Sequence, residues 1–519
     1  MILRFRPACA FLLLIVAAPG ESSAVQRAAY EELQTFSAVL NHIRLNHADT
    51  VTYAHMVKAA IVGVLRSLDP HSYYLSRADW ERRSALERGE LATIGLTLVT
   101  AGGAATVLAV ARGGPADRRG VLPGDRVVAV DDTTVAGMTA EEVALRLAGD
   151  DGVRVRVRVE RGPRLAPDTV TVTVKREFEK SSTVGPALMI APATGYVRLS
   201  GFEQSSSRDL AKAIERLESA GASRLVLDLR GNPGGSVVSA VEVASLFLPR
   251  GALVFRTVGR KSDANEEYVT GRAGPFRDLP LMILIDRHSA SAAEALSGCL
   301  QDQDRALVLG RTSFGKALMQ SVFLLPDGDV VWLTVGRVIT PSGRSIQRPF
   351  RGLGVEQYRS LAGTGSDPAD TIVYRTTAGR LMRGGGGIVP DVELPRRPDP
   401  PTWWTAAVDS GYGVAVADSV AHTLLANAAG RDDWLAATDA WEAMLVVPFL
   451  QRVREGLGLD VRPEAELRAT IARRLAVRVA AVRWGPEAAD RFGVATDLDV
   501  RTATAHFERL PALLASPTN

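Results

Sequence analysis

Three short stretches hold residue types that could carry out nucleophilic chemistry. The first is His288-Ser289-Ala290-Ser291, which follows the apolar run Leu281 to Ile285 and precedes a helical pattern reaching about Gln301. A serine at such a strand-to-helix turn is well placed as an exposed nucleophile, but its hydroxyl needs a base. The second is Arg230-Gly231-Asn232-Pro233-Gly234-Gly235, after the apolar run Leu225 to Leu229. There two adjacent glycines let backbone N–H groups approach a ligand at a helix start, where partial positive charge favours an anion. The third is Thr312-Ser313-Phe314-Gly315-Lys316-Ala317-Leu318-Met319-Gln320. None of the histidines (His42, His47, His55, His71, His288, His422 and His506) stands in a recognisable triad context, and no Gly-x-Ser-x-Gly elbow is present. Lys316 is the remaining candidate base, since a desolvated lysine can titrate near neutrality. If the chain is extended here, Gln320 falls on the same face as Lys316. No HExxH or cysteine-rich spacing suggests a metal, and no cofactor motif is evident. Taken alone each stretch has an ordinary reading: a tight connection, a helix cap, a strand-end lysine.

The elements that must position these residues can be read from periodicity. From 188 to about 345 the pattern alternates strand and helix: Tyr196 to Leu199, Ser207 to Ala220, Leu225 to Leu229, a helix to about Phe247, Leu281 to Ile285, and a helix to about Gln301. This is the signature of an α/β domain. A hairpin follows, from Ala317 to Leu325 and Val330 to Ile339 around Pro326-Asp327-Gly328-Asp329. Residues 86–178 form a separate β-rich module of short runs such as VRVRVRVER and DTVTVTVKR, with one helix from Thr139 to about Leu147. Residues 25–85 read as helical, with a stop at Asp69-Pro70. Residues 350–390 read as a glycine-rich surface loop, and 399–519 as a helical region.

The stretch ILIDRHSASAAEALSGCLQDQDRALVLGRTSFGKALMQ, Ile283 to Gln320, closely resembles the signature of the C-terminal processing peptidases, or tail-specific proteases. The resemblance extends to LRSLDPHSYYLSRADWE, ARGGPADRRGVLPGDRVVAVDD, VLDLRGNPGG, LTVGRVITPSGRSIQR and GGGGIVPDVEL, in order over roughly residues 35–395. It implies a PDZ module at 86–178 and a crotonase-like α/β serine protease core at 179–398. It also implies roles: Ser291 as nucleophile, Lys316 as general base and Gln320 orienting that lysine. Ala292 and either Gly234 or Gly235 would supply the oxyanion-hole N–H groups. In the PDZ module Ile94, Gly95, Leu96 and Leu98 would meet a substrate C-terminus. Two positions depart from the family pattern. Ala317 stands where glycine is usual, which would crowd the strand slightly, and Thr93-Ile94-Gly95-Leu96 has one glycine where two are usual.

The implied partners are proteins or peptides with free C-termini, with an adaptor or activator contact open to residues 400–519. Two other classes fit parts of the pattern: a PDZ scaffold that binds tails without cutting them, and an acyl-CoA enzyme of the crotonase architecture. The net charge of +3 gives no support for a nucleic-acid partner. The first 24 residues read as a secretory signal. Arg4 and Arg6 precede the apolar stretch Ala8 to Ala18, and Ser22-Ser23-Ala24 offers a small-residue cleavage site. That stretch is too short to span about 30 Å of hydrocarbon. Export to the periplasm is the expectation, and the mature chain would keep a single cysteine, Cys299, read as a core residue.

Overall fold

The computed structural model describes residues 23–515, apart from 88–89, 102–103, 111–113, 122–124, 139, 162–167, 179–182, 351–357, 359–371, 396–400 and 427–429. The expected export signal lies outside the described residues except for Ser23 and Ala24, as does the expected helix cap Thr139. The chain forms two units, residues 1–68 and 69–519. In the first, α1 (Ser23–Asn46) and α2 (Tyr53–Leu68) are joined by a turn, with the Arg44 guanidinium 4.9 Å from the centre of the Tyr53 ring.

The expected helical segment 25–85 does not run through. After Asp69-Pro70 the chain belongs to the second unit, where Tyr73–Leu75 is a strand, β1, followed by α3 (Arg77–Glu87). Three residues are too few to show a period. Tyr73 is drawn into the sheet by its partner, stacking on Trp332 at 5.7 Å.

The β-rich module contains β2 (Leu96–Ala101), β3 (Ala104–Val110), β4 (Arg126–Val130), β5 (Thr133–Thr134), α4 (Ala140–Leu147), β6 (Arg154–Arg161) and β7 (Asp168–Lys175). Its sheet order is β2-β3-β4-β6-β7, so β2 lies at an edge. Alternation decides its faces: Val155, Val157 and Val159 are fully buried while Arg154, Arg156 and Arg158 are exposed.

The α/β core comprises β8 (Val184–Ala191), β9 (Thr194–Leu199), α5 (Ser206–Ser219), β10 (Arg224–Asp228), α6 (Val237–Ala244), β11 (Leu253–Gly259), β12 (Glu267–Val269), β13 (Leu281–Ile285), α7 (Ala292–Asp302), β14 (Leu307–Gly310), β15 (Leu318–Leu324), β16 (Val330–Ile339), the hairpin β17 (Val373–Arg375) and β18 (Leu381–Arg383), and β19 (Val392–Glu393). The hairpin stands in the stretch expected to be an irregular loop. One sheet has the order β19-β14-β13-β10-β9-β8, parallel except for β8. A second, antiparallel sheet contains β1, β16, β11 and β12, with β15 also on β16.

Both faces of the parallel sheet are covered, which explains why its strands read as continuous apolar runs. Leu225, Leu227, Ile283 and Ile285 face a core shared with α5, α6 and α7, including the fully buried Cys299. Val226, Met282, Leu284 and Leu309 face the other way, against Val500, Ala503, Phe507 and Leu510. The second layer thus comes from the C-terminal region, whose remaining helices enclose their own core around Trp404, Trp434, Phe449 and Leu475.

Candidate active site

The site is built where two strand-to-helix loops of the parallel sheet meet. β10 and β13 are adjacent and parallel, so the loops after them, 229–236 and 286–291, emerge side by side. They are laced together: Gly231 N–H donates to Asp286 Oδ1 (2.9 Å), Ala290 N–H to the Asn232 carbonyl (2.9 Å), and the Ser289 hydroxyl to the Leu229 carbonyl (2.8 Å).

Ser291 occupies the turn into α7 with φ +56° and ψ −115°, a conformation that costs a non-glycine residue of order 1–3 kcal/mol. Gly234 lies directly against it. A Cβ on Gly234 would fall 2.8 Å from the Ala290 carbonyl oxygen and 2.9 Å from Ser291 Cβ, and φ +102° excludes most other residues as well. The Gly234 N–H is already spent on Asn232 Oδ1 at 2.8 Å, while Asn232 Nδ2 donates to the Leu199 carbonyl at 2.9 Å. Of the two glycines offered by the sequence, Gly234 therefore shapes the turn. Among the described residues no acceptor meets the N–H of Gly235 or of Ala292.

Lys316 does not lie in a strand. It sits half-buried in the loop ahead of β15, so the alternation expected to align it with Gln320 does not operate there. What fixes it is Glu294, fully buried in the first turn of α7. Glu294 Oε2 accepts the backbone N–H of Ser291 (2.9 Å) and that of Lys316 (2.8 Å). Its Oε1 accepts Gly315 N–H (2.6 Å) and the Ser313 hydroxyl (2.5 Å). One carboxylate thus ties serine and lysine together. The sequence carries the signal in Ser291-x-x-Glu294, a capping-box spacing whose significance is visible only when Lys316 arrives on the same oxygen.

Burial pushes the Glu294 carboxyl up to about 7, against the four donors that pull it down. A pKa raised by folding means that the folded chain holds the proton more tightly than the unfolded one. The stability this contributes is complete below the ordinary value of 4.5 and is lost as pH rises to about 7. Glu294→Gln replaces an oxygen that accepts two donors with an NH2 group. The expected result is a loss of activity of roughly 10²-fold through misplaced groups. Melting curves should show the variant gaining on the wild type as pH rises from 4.5 to 7. A variant with unchanged activity would show that the shared carboxylate does not organise the site.

Gln320 donates from Nε2 to the His71 backbone carbonyl, and among the described residues no donor meets its amide oxygen. His71 packs edge-on to Tyr358 at 5.4 Å, so the segment before β1 is part of the site's support. Ala317 stands in the loop just ahead of β15. Its φ is not positive, it is buried in the main core, and its N–H donates to Gln347 Oε1 at 2.7 Å.

In the β-rich module Ile94 is buried in the apolar core, so its side chain is unavailable to a peptide. Its carbonyl accepts the Ala116 N–H at 3.0 Å. Leu96 and Leu98 are half-buried on the edge strand β2. Gly95 has φ +76°, and its N–H reaches Thr93 Oγ1 at 3.3 Å.

Fold and sequence together define a peptidase with a PDZ domain: residues 193–357 match the model of peptidase family S41 and residues 106–161 match a PDZ domain. The chain is 32% identical over 295 residues to a carboxyl-terminal-processing protease of a Synechocystis species, covering 56% of this chain and 68% of that one. It is 30% identical over 346 residues to the carboxy-terminal-processing protease of Bartonella bacilliformis, covering 66% and 78%. The chain belongs to the C-terminal processing protease family.

Proposed function

We propose that this protease is an endopeptidase that cuts exported proteins near their C-termini, with Ser291 as nucleophile and Lys316 as general base. The observation that carries the reading is the single Glu294 oxygen that accepts both the Ser291 and the Lys316 N–H groups beside Gly234. Ser291 Oγ attacks the scissile carbonyl while the neutral Lys316 amine takes its proton. The oxygen that becomes negative is met by the N–H groups of Ala292 and Gly235, whose positions at a helix start suit an anion. The resulting ammonium protonates the leaving amine, and a water activated by the same lysine then releases the acyl group. The amide oxygen of Gln320 holds the amine in line.

The PDZ domain selects the substrate. β2 is an edge strand, so an extended peptide can add to it, with Leu96 and Leu98 beneath the terminal side chain and the Gly95 turn near the carboxylate. The N-terminal segment 1–24 directs the chain across the inner membrane, placing the enzyme among periplasmic proteins. The experiment compares one peptide with a free and an amidated C-terminus. Amidation removes the carboxylate and is expected to slow cleavage at limiting substrate. Equal rates would show that the terminus is not recognised.

A further inference from the structure

The loop that carries Gly234 and Gly235 is anchored by a residue at its start, and that residue is gripped from the C-terminal region. Arg230 donates its backbone N–H and Nε to Asp228 Oδ1 (3.0 and 2.9 Å) and its Nη2 to Asp228 Oδ2 (2.6 Å). Its remaining nitrogen, Nη1, donates to both oxygens of Asp497 (3.2 and 3.1 Å) and to Asp499 Oδ2 (3.0 Å). These aspartates stand at the start of the helix Leu498–His506, where Asp497 Oδ1 also accepts the Asp499 N–H at 2.8 Å. Asp499 is shared with Arg311, the residue after β14, at 2.8 and 3.2 Å. Asp228 is fully buried, and the others are between 7% and 20% exposed at the side chain. This is a packed charge cluster in which each arginine fork is held by carboxylates.

Two features connect the cluster to the reaction. Arg230 immediately precedes Gly231, whose N–H is pinned to Asp286 in the nucleophile loop, and Asn232 then fixes Gly234. The helix bearing the aspartates is itself placed by burial of Val500 and Ala503 on the far face of the sheet. The carboxylates therefore wait in position for Arg230. Without them, two N–H groups of a mostly buried guanidinium lose their partners, at a cost that favours a shifted loop. Oxyanion donors tolerate little displacement, because their value lies in being aimed beforehand.

We infer that Asp497 and Asp499 are positioning residues for peptide hydrolysis: they hold Arg230, and through it the Gly234-Gly235 turn, against Ser291. Residues beyond 400 then complete the active site. The inference rests on the reading of Ser291, Ala292 and Gly235 given above.

The test uses the full chain carrying Asp497→Asn and Asp499→Asn together. The expected result is a fall in kcat of about 10- to 100-fold with KM changed by less than about threefold, the pattern of a lost transition-state contact. Affinity for a peptide aldehyde, which forms a tetrahedral adduct with the serine, should fall in parallel, while affinity for a non-cleavable peptide of the same sequence should not. Phe507→Ala is the structural control. It loosens the turn that follows this helix without touching a carboxylate, so it should lower the melting temperature and leave kcat intact while the protein is folded. If the double variant does not fold, Asp497→Asn alone should show the same split at smaller amplitude. An unchanged kcat, or losses that track melting temperature equally in the aspartate and Phe507 variants, overturns the inference. If the wild type forms no adduct with the aldehyde at Ser291, the underlying reading has failed instead.

Discussion

Ser291→Ala is expected to lower kcat by roughly 10⁴–10⁶ while leaving the fold intact. On the proposed mechanism the loss is large because nucleophile, base and oxyanion donors act as one unit, so removing the attacking oxygen strands the rest. The fold should survive because the site's geometry is held by other atoms. The Ser291 N–H still reaches Glu294 Oε2, its carbonyl still accepts the N–H groups of Glu294 and Ala295, and the Gly234 contact involves only Cβ and backbone. The strained φ of +56° is retained, and alanine tolerates it no better than serine does. The measurement is cleavage of a peptide by purified variant and wild type, with melting curves alongside. Wild-type turnover in the variant would remove Ser291 from the mechanism and make Ser289 the next suspect. That serine is a poor one, because it is fully buried and its hydroxyl already donates to the Leu229 carbonyl.

The sequence exposes the frame of this site better than its fastenings. Apolar runs after which loops must fall, Leu225 to Leu229 and Leu281 to Ile285, correspond to the adjacent parallel strands β10 and β13, because strands covered on both faces are apolar throughout. The alternation of VRVRVRVER likewise marks β6. Missed elements are short or lack a period of their own. β1 exists because Tyr73 and Tyr74 pair with β16, and β17 and β18 because their hairpin closes on itself. Glu294 is legible as a cap but not as the carboxylate that also receives Lys316, since that partner comes from 22 residues away. Gln320 could be placed near Lys316 by family resemblance, whereas its bond to the His71 carbonyl spans 249 residues and leaves no local trace. The Ile94 side chain, expected to meet a peptide, lies in the module's core for the opposite reason. A β-branched residue beside a turn glycine suits a groove or a core equally, and only packing decides. The C-terminal region shows its helices in composition, but not that one of them forms the second layer of the catalytic sheet.

Lys316→Arg is expected to be as inactive as Lys316→Ala, although it keeps the positive charge. The proposed task of Lys316 is to accept a proton from Ser291, which requires a neutral nitrogen. Lysine can reach that state when desolvated. Arginine stays protonated, with a pKa above about 12, and cannot serve as a base at any working pH. Both variants should fold, because the backbone N–H of position 316 on Glu294 Oε2 survives either substitution. A lysine that acted only as a structural cation would predict a different pair of results: an arginine variant retaining substantial activity and an alanine variant without it. The two roles also differ in pH dependence. A base gives wild-type activity that rises with pH as the neutral amine becomes more abundant, whereas a structural cation gives activity that declines once the charge is lost. Peptide cleavage by wild type and both variants across pH 6–10 separates them. A clearly active Lys316→Arg enzyme would rule out the serine–lysine pair and reopen the search for the group that takes the Ser291 proton.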